Sequence, residues 1–164
     1  MKNLHILLQR LADAGLEFVV VGGFAGVLHG SAYVTEDLDI CAMMTPETVA
    51  RLRRALADLK PVHRMTPQKL SFLEHPPAGQ PLANVYLETE AGIIDVLGSV
   101  LGIGDYEALA RNAIEIPLFG RRCRVISLED LIKAKEALGR EKDLLTAKEL
   151  RAIAAKRRLA GGNT

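Results

Sequence analysis

Residues 19–40 read VVVGGFAGVLHGSAYVTEDLDI, and no other stretch of the chain restricts the fold as strongly. An apolar strand runs into two glycines, a short helix follows, and two acids stand at the head of a second strand. Gly22–Gly23 lets backbone come close to whatever lies opposite, because no side chain intervenes. The dinucleotide-binding fingerprint requires glycine at the first, third and sixth positions of such a turn, but alignment on Gly23 and Gly26 puts Val21 first. That fold also places one acid at the end of its second strand and a long helix between strands; here Asp37 and Asp39 begin the strand and only FAGVLH intervenes. A phosphate-binding P-loop is excluded, since no Gly-Lys-Ser/Thr follows the glycines.

In an extended segment residues two apart share a face, so Asp37 and Asp39 point together while Leu38 and Ile40 turn into the core. Such a pair is either a solvent-exposed strand edge or a place for a cation, and Mg²⁺ takes one or two carboxylates together with substrate phosphates. Asp95 bears on that choice. It is the one polar side chain in the run Ile93 to Leu97, and charged groups are rarely buried unpaired. If its strand lies beside that of Asp37 and Asp39, the three carboxylates suit a two-metal site for phosphoryl or nucleotidyl transfer. Gly22 and Gly23, at a helix N-terminus, then offer backbone amides to phosphate. Ser31, after Gly30, is either a plain turn serine or a hydrogen-bond donor to that phosphate. Thr35 is either a plain turn threonine or the residue that orients Asp37.

The rest of the chain predicts an α+β (mixed α/β) fold, a small mixed sheet flanked by helices with a helical C-terminus. Leu4, Leu7, Leu8 and Leu11 mark a helix over 2–14. Phe18 to Val21 and Leu38 to Met43 read as strands, with Phe24 to His29 a short helix between them. Thr45–Pro46–Glu47 starts a helix that ends near Pro61, and residues 62–80, rich in proline and turn residues, read as an irregular excursion. Hairpins follow at Asn84–Glu90 with Ile93–Leu97, and at Ala113–Pro117 with Cys123–Ile126, separated by a short helix from Asp105 to Arg111. Ser127 caps a helix to Leu138, and residues 142–158 form the last one. The expectation is a single domain over 1–164, with a core at about 16–126 and C-terminal helices at about 127–159.

A formal net charge of +1 gives no global pull towards nucleic acid or membrane. Lys156, Arg157 and Arg158 read as a solvated face, and the four histidines show no metal-ligand spacing, His29 included. Cys41 and Cys123, far apart in sequence, suit a reduced compartment. No membrane-length apolar run occurs, and the opening residues carry charges at helical spacing instead of a secretory leader, so a cytoplasmic location is expected.

The order Val21–Gly22–Gly23, a gap of thirteen residues, Asp37–Leu38–Asp39–Ile40 and later Asp95 resembles the DNA polymerase β-type nucleotidyltransferase superfamily. The wording HGSAYVTEDLDIC and SLEDLIKAKEALGREKDLLTAKEL is similar to small bacterial nucleotidyltransferase-like proteins related to abortive-infection toxins. The resemblance implies that Gly22 and Gly23 lie against the phosphates of an NTP and that Asp37 and Asp39 hold Mg²⁺, with Mn²⁺ as a substitute. Asp95 would complete the metal site or act as general base for an acceptor hydroxyl. Lys135 and the Arg140-x-Lys142-Asp143 pattern would meet triphosphate or acceptor, although a solvated lysine and a structural salt bridge are the alternatives from the residues alone. The acceptor class stays open between RNA, protein and small molecule. The resemblance also implies a transferase that acts within a toxin–antitoxin system; Tyr33 stands where many relatives carry arginine, which leaves room for a second role, a non-catalytic or regulatory protein that uses the scaffold to bind a small helical partner.

Overall fold

The structure, a computed structural model, describes residues 3–161. α1 (Leu4–Asp13) buries Leu4, Leu7, Leu8 and Leu11 on one face, as its heptad-like spacing dictates. β1 (Val19–Val21) leads directly into α2 (Gly22–Leu28), so the two glycines are the first turn of the helix instead of a turn preceding it. β2 (Leu38–Cys41) stops two residues short of Met43. α3 (Pro46–Leu56) starts as expected, with the Thr45 hydroxyl accepting from Thr48 N at 3.1 Å, and a 3₁₀ turn over Ala57–Leu59 carries the chain to Lys60.

The 62–80 excursion contains a short strand, β3 (Val62–His63), and is pinned from several sides. Arg53 donates from Nε to Phe72 O (2.8 Å) and from Nη2 to Pro76 O (2.5 Å), and its guanidinium lies 5.0 Å from the Phe72 ring centre. Phe72 is fully buried, and His63 Nε2 donates to His75 O at 2.7 Å. The hairpins follow as β4 (Asn84–Thr89) with β5 (Gly92–Leu97), then β8 (Ile114–Leu118) with β9 (Arg121–Val125). Between them stand a ribbon the sequence did not suggest, β6 (Ser99–Val100) and β7 (Gly104–Asp105), and α4 (Tyr106–Asn112), capped by Asp105. α5 (Leu128–Leu138) and the 21-residue α6 (Glu141–Gly161) complete the described chain.

The main sheet has seven strands in the order β3-β4-β5-β2-β1-β9-β8. The pairs β2–β5 and β1–β9 are parallel and the rest antiparallel, so the sheet is mixed. β1, near the middle, is buried at every residue, as a strand covered on both faces must be. None of the helices among the described residues is long and apolar enough to cross a membrane.

Candidate active site

Strand register creates the site. Val21 of β1 faces Asp39 of β2, Asp39 faces Asp95 of β5, and Asp95 faces Tyr86 of β4. Residues directly opposite across strands share a face, so Asp39, Asp95 and Tyr86 form one row across the sheet. Their neighbours Leu38, Ile40, Ile94 and Val96, all fully buried, take the other face and fix the register through the core. Asp37 precedes β2, yet its charge reaches the same place. Asp39 is pushed up to about 6, first by burial, then by Asp95 and Asp37, while Lys135 and Arg64 act in the opposite direction. Asp37, Asp95, Lys135 and Arg64 thus all act on the charge of Asp39.

Gly22 has a second reason to be glycine besides its φ of +69°. A Cβ there would stand 2.2 Å from Asp39 Oδ2, so the Asp39 carboxylate occupies the space a side chain would need. At Gly23 a Cβ would meet Thr35 Oγ1 at 3.2 Å. Thr35 in turn exchanges contacts of 3.4 Å with the backbone N and O of Asp37. The glycine pair thus lets the 31–37 loop and the head of β2 close against α2.

Ser31 belongs to the support of that loop. Its hydroxyl donates to Glu149 Oε1 (2.6 Å) and accepts from Tyr33 N (3.1 Å), and Ala32 N donates to Glu149 Oε2 (2.9 Å). These bonds hold the Glu149 carboxyl below its ordinary range. Replacing Glu149 with Ala is expected to leave the fold intact and to speed amide hydrogen exchange at Ala32 and Tyr33 by about tenfold, the loss of one charge-assisted bond or more. Unchanged protection of those two amides would refute the role.

The cations have distinct settings. Lys135 Nζ lies 3.7 Å from Asp143 Oδ1, and Arg140 pairs with the same carboxylate through Nε (2.5 Å) and Nη2 (3.2 Å). Asp143 is 1% exposed and held below the usual carboxylate range, chiefly by the Arg140 hydrogen bond. The Arg140–Asp143 pair is therefore a structural bridge that also seats Lys135 beside the acids. Lys142 is exposed in the first turn of α6, and no hydrogen bond or ion pair among the described residues links it to them. His29 is buried, donating from Nε2 to Ile126 O (2.7 Å) and accepting from Arg157 at Nδ1 (3.2 Å); burial lowers its pKa. It serves the core, and Arg157 serves it.

Arg64 was not anticipated. From the residue after β3 it donates Nε to Asp95 Oδ1 (3.1 Å) and Nη2 to Oδ2 (2.5 Å). The lone buried Asp95 demanded a cation, but its partner 31 residues earlier could be found only through the β3–β4–β5 pairing.

Among the described residues no group of three or more His, Cys, Asp or Glu is arranged to hold a metal ion. The donor set nonetheless fits one of the hard divalent ions that nucleotidyltransferases generally use. Asp37 and Asp39 are hard oxygen donors, Asp39 raised by burial and then by Asp95 and Asp37, and an ion such as Mg²⁺ completes its shell with water and phosphate instead of an all-protein cage.

A family model described as "Nucleotidyl transferase of unknown function" matches residues 1–160. Among solved structures, a lincomycin-bound lincosamide antibiotic adenylyltransferase aligns with a TM-score of 0.60 at 18% identity, over 92% of this chain and 96% of its own. A putative nucleotidyltransferase from Thermotoga maritima aligns at 0.58 with 20% identity, over 93% and 91%. ANT(2'')-Ia, in complex with adenylyl-2''-tobramycin, aligns at 0.50 with 16% identity, over 91% and 95%. At these identities the likeness establishes the fold. No curated protein matches the chain.

Proposed function

The chain belongs to this nucleotidyl transferase family, and on that premise we propose that it moves a nucleoside monophosphate from an NTP to an acceptor hydroxyl. The observation that carries the reading is the side-by-side register of Asp39 and Asp95 beneath the Gly22 turn, with Asp37 acting on the same charge. Asp37 and Asp39 would hold Mg²⁺, or Mn²⁺ in its place. That ion, when bound, neutralises charge on the triphosphate.

The chain's own groups do the rest. The backbone of Gly22 and Gly23, in the first turn of α2, would meet phosphate oxygens alongside the Asp39 carboxylate that fills the space over Gly22, and Lys135, held by Asp143, acts on the same acid. Thr35 keeps Asp37 in place. Asp95 either joins the ion-binding set or takes the acceptor hydroxyl's proton as oxygen attacks the α-phosphate and pyrophosphate leaves. Ser31 acts through the loop it shares with Glu149, and Lys142 contributes no direct contact in this reading.

The test is transfer of α-³²P label from each NTP, with Mg²⁺, to a panel of acceptors: aminoglycosides and lincosamides, tRNA and protein. The antibiotic arm is motivated by the acceptors named for two proteins of like fold. Label transfer that depends on both Mg²⁺ and Asp39 supports the reading; protein that binds neither NTP nor divalent ion overturns it. A second reading, a non-catalytic scaffold for a small helical partner, is favoured by one observation: both oxygens of Asp95 are already taken by Arg64. Transfer lost in Asp39→Ala with the fold intact eliminates that reading.

A further inference from the structure

Arg64 takes up the Asp95 carboxylate that the function proposed above would offer to a divalent ion. The guanidinium grips both oxygens of Asp95, with the Asp95 side chain 12% and the Arg64 side chain 27% exposed. It also lies 5.7 Å from the Tyr86 ring centre, on the next strand of the same row. Its backbone is fixed: Arg64 N donates to Tyr86 O at 3.1 Å, and the segment beyond is pinned by Arg53 and the buried Phe72. The side chain is held by Asp95, by the Tyr86 ring and by Met65 Sδ, to which Nη1 donates at 3.2 Å.

Resting on the function proposed above, we propose that Arg64 is a phosphate ligand for the nucleotide that parks on Asp95 while the site is empty. Three acids and two cations, Lys135 and Arg64, make up the resting site. Loading Asp95 with a divalent ion removes the guanidinium's partner, and the arriving triphosphate is the anion that replaces it. A planar guanidinium fork binds a carboxylate and a phosphate with the same bidentate geometry, so the exchange needs no rebuilding of the side chain. The Tyr86 ring face keeps contact with the cation through the exchange. No covalent bond changes: one ion pair is traded for another. The resting bridge also lowers the cost of holding the carboxylates together before substrate arrives, which explains an arginine placed against a residue the chemistry needs.

The exchange has a signature that a fixed structural bridge lacks. Binding of Mn²⁺ alone, and of Mn²⁺ with α,β-methylene ribonucleoside triphosphates, is measured by calorimetry on wild type, Arg64→Gln and Arg64→Lys. Arg64→Gln is expected to bind Mn²⁺ alone about tenfold more tightly and the Mn²⁺–nucleotide pair about tenfold more weakly, the range for a charged hydrogen-bonding group. Arg64→Lys keeps the charge, serves if the glutamine variant does not fold, and is expected to move both constants the same ways by less. Wild type that binds the Mn²⁺–nucleotide pair while the variants shift both constants in one direction, or neither, overturns this inference and leaves the proposed function standing. Wild type that binds Mn²⁺ neither alone nor with nucleotide overturns both.

Discussion

Asp39→Asn is expected to abolish nucleotidyl transfer and, at neutral pH, to raise the melting temperature. Asp39 is pushed from 3.8 to about 6 by burial, then by Asp95 and Asp37. Folding therefore favours the protonated acid, and the corresponding stability is present in full below about pH 4 and lost as pH rises through 6. Above that the folded protein carries the full cost of the ionised group. Two pK units correspond to roughly 3 kcal/mol, and partial exposure brings this to about 2 kcal/mol. Asparagine keeps the shape and removes the charge, so the variant should melt about 5 °C higher at pH 7.5, with the difference vanishing near pH 4. Transfer should fall by on the order of 10³-fold, the scale of losing a charge-stabilising group. Calorimetry across pH together with the label-transfer assay decides the matter. A variant that is less stable at pH 7.5, or still active, refutes the assignment. Stability and activity pull apart here, as expected where a site gathers like charges for a ligand.

Gly22→Ala should damage both. The alanine faces two separate penalties: a left-handed φ of +69°, and a Cβ 2.2 Å from Asp39 Oδ2 and 2.9 Å from Asp39 Cβ. The backbone penalty is about 1 kcal/mol and the overpacking about 1–3 kcal/mol, together about 2–4 kcal/mol of lost stability. Asp39 has too short a side chain to bend aside without leaving its place beside Asp95, so transfer should drop by roughly 100-fold or more. Gly120→Ala supplies the control, since its φ is +79° but nothing lies within 4 Å of the added Cβ. It should lose only the backbone part in a denaturant titration and keep its activity. Equal losses in the two variants would show that the Asp39 contact is immaterial.

What the sequence reveals and what it hides divide along the distance over which a signal acts. Thr45, Asp105 and Ser127 announce their helices because a cap bonds to an amide three residues away. The glycine pair, Asp39 and Asp95 stand out because each interrupts an apolar run, and Asp37 because it lies two residues before Asp39. That Asp39 and Asp95 are direct neighbours was expected only conditionally; it follows from β5 inserting beside β2 in parallel, which no local pattern encodes. Arg64 escaped because it sits in a stretch without periodicity, where the one clue is the unpaired charge of Asp95. Ser31 read as a turn serine or a phosphate donor from its neighbours alone, and its bond to Glu149, 118 residues on, has no local signal. The glycines read as a bare floor for phosphate; the structure adds that the space over Gly22 is where Asp39 stands.

The hold of α6 on the loop carries a consequence in time. Glu149 grips Ser31 and Ala32, and two turns further along Arg157 grips His29, through its carbonyl at 2.9 Å as well as its ring. A ribosome makes the acids early and this splint late. A nascent chain grown past Asp95 already carries all three carboxylates, yet the loop leading to Asp37 still lacks its far anchors. Contacts spanning more than a hundred residues form only after everything between them is made. Synthesis thus completes last the loop that leads into Asp37.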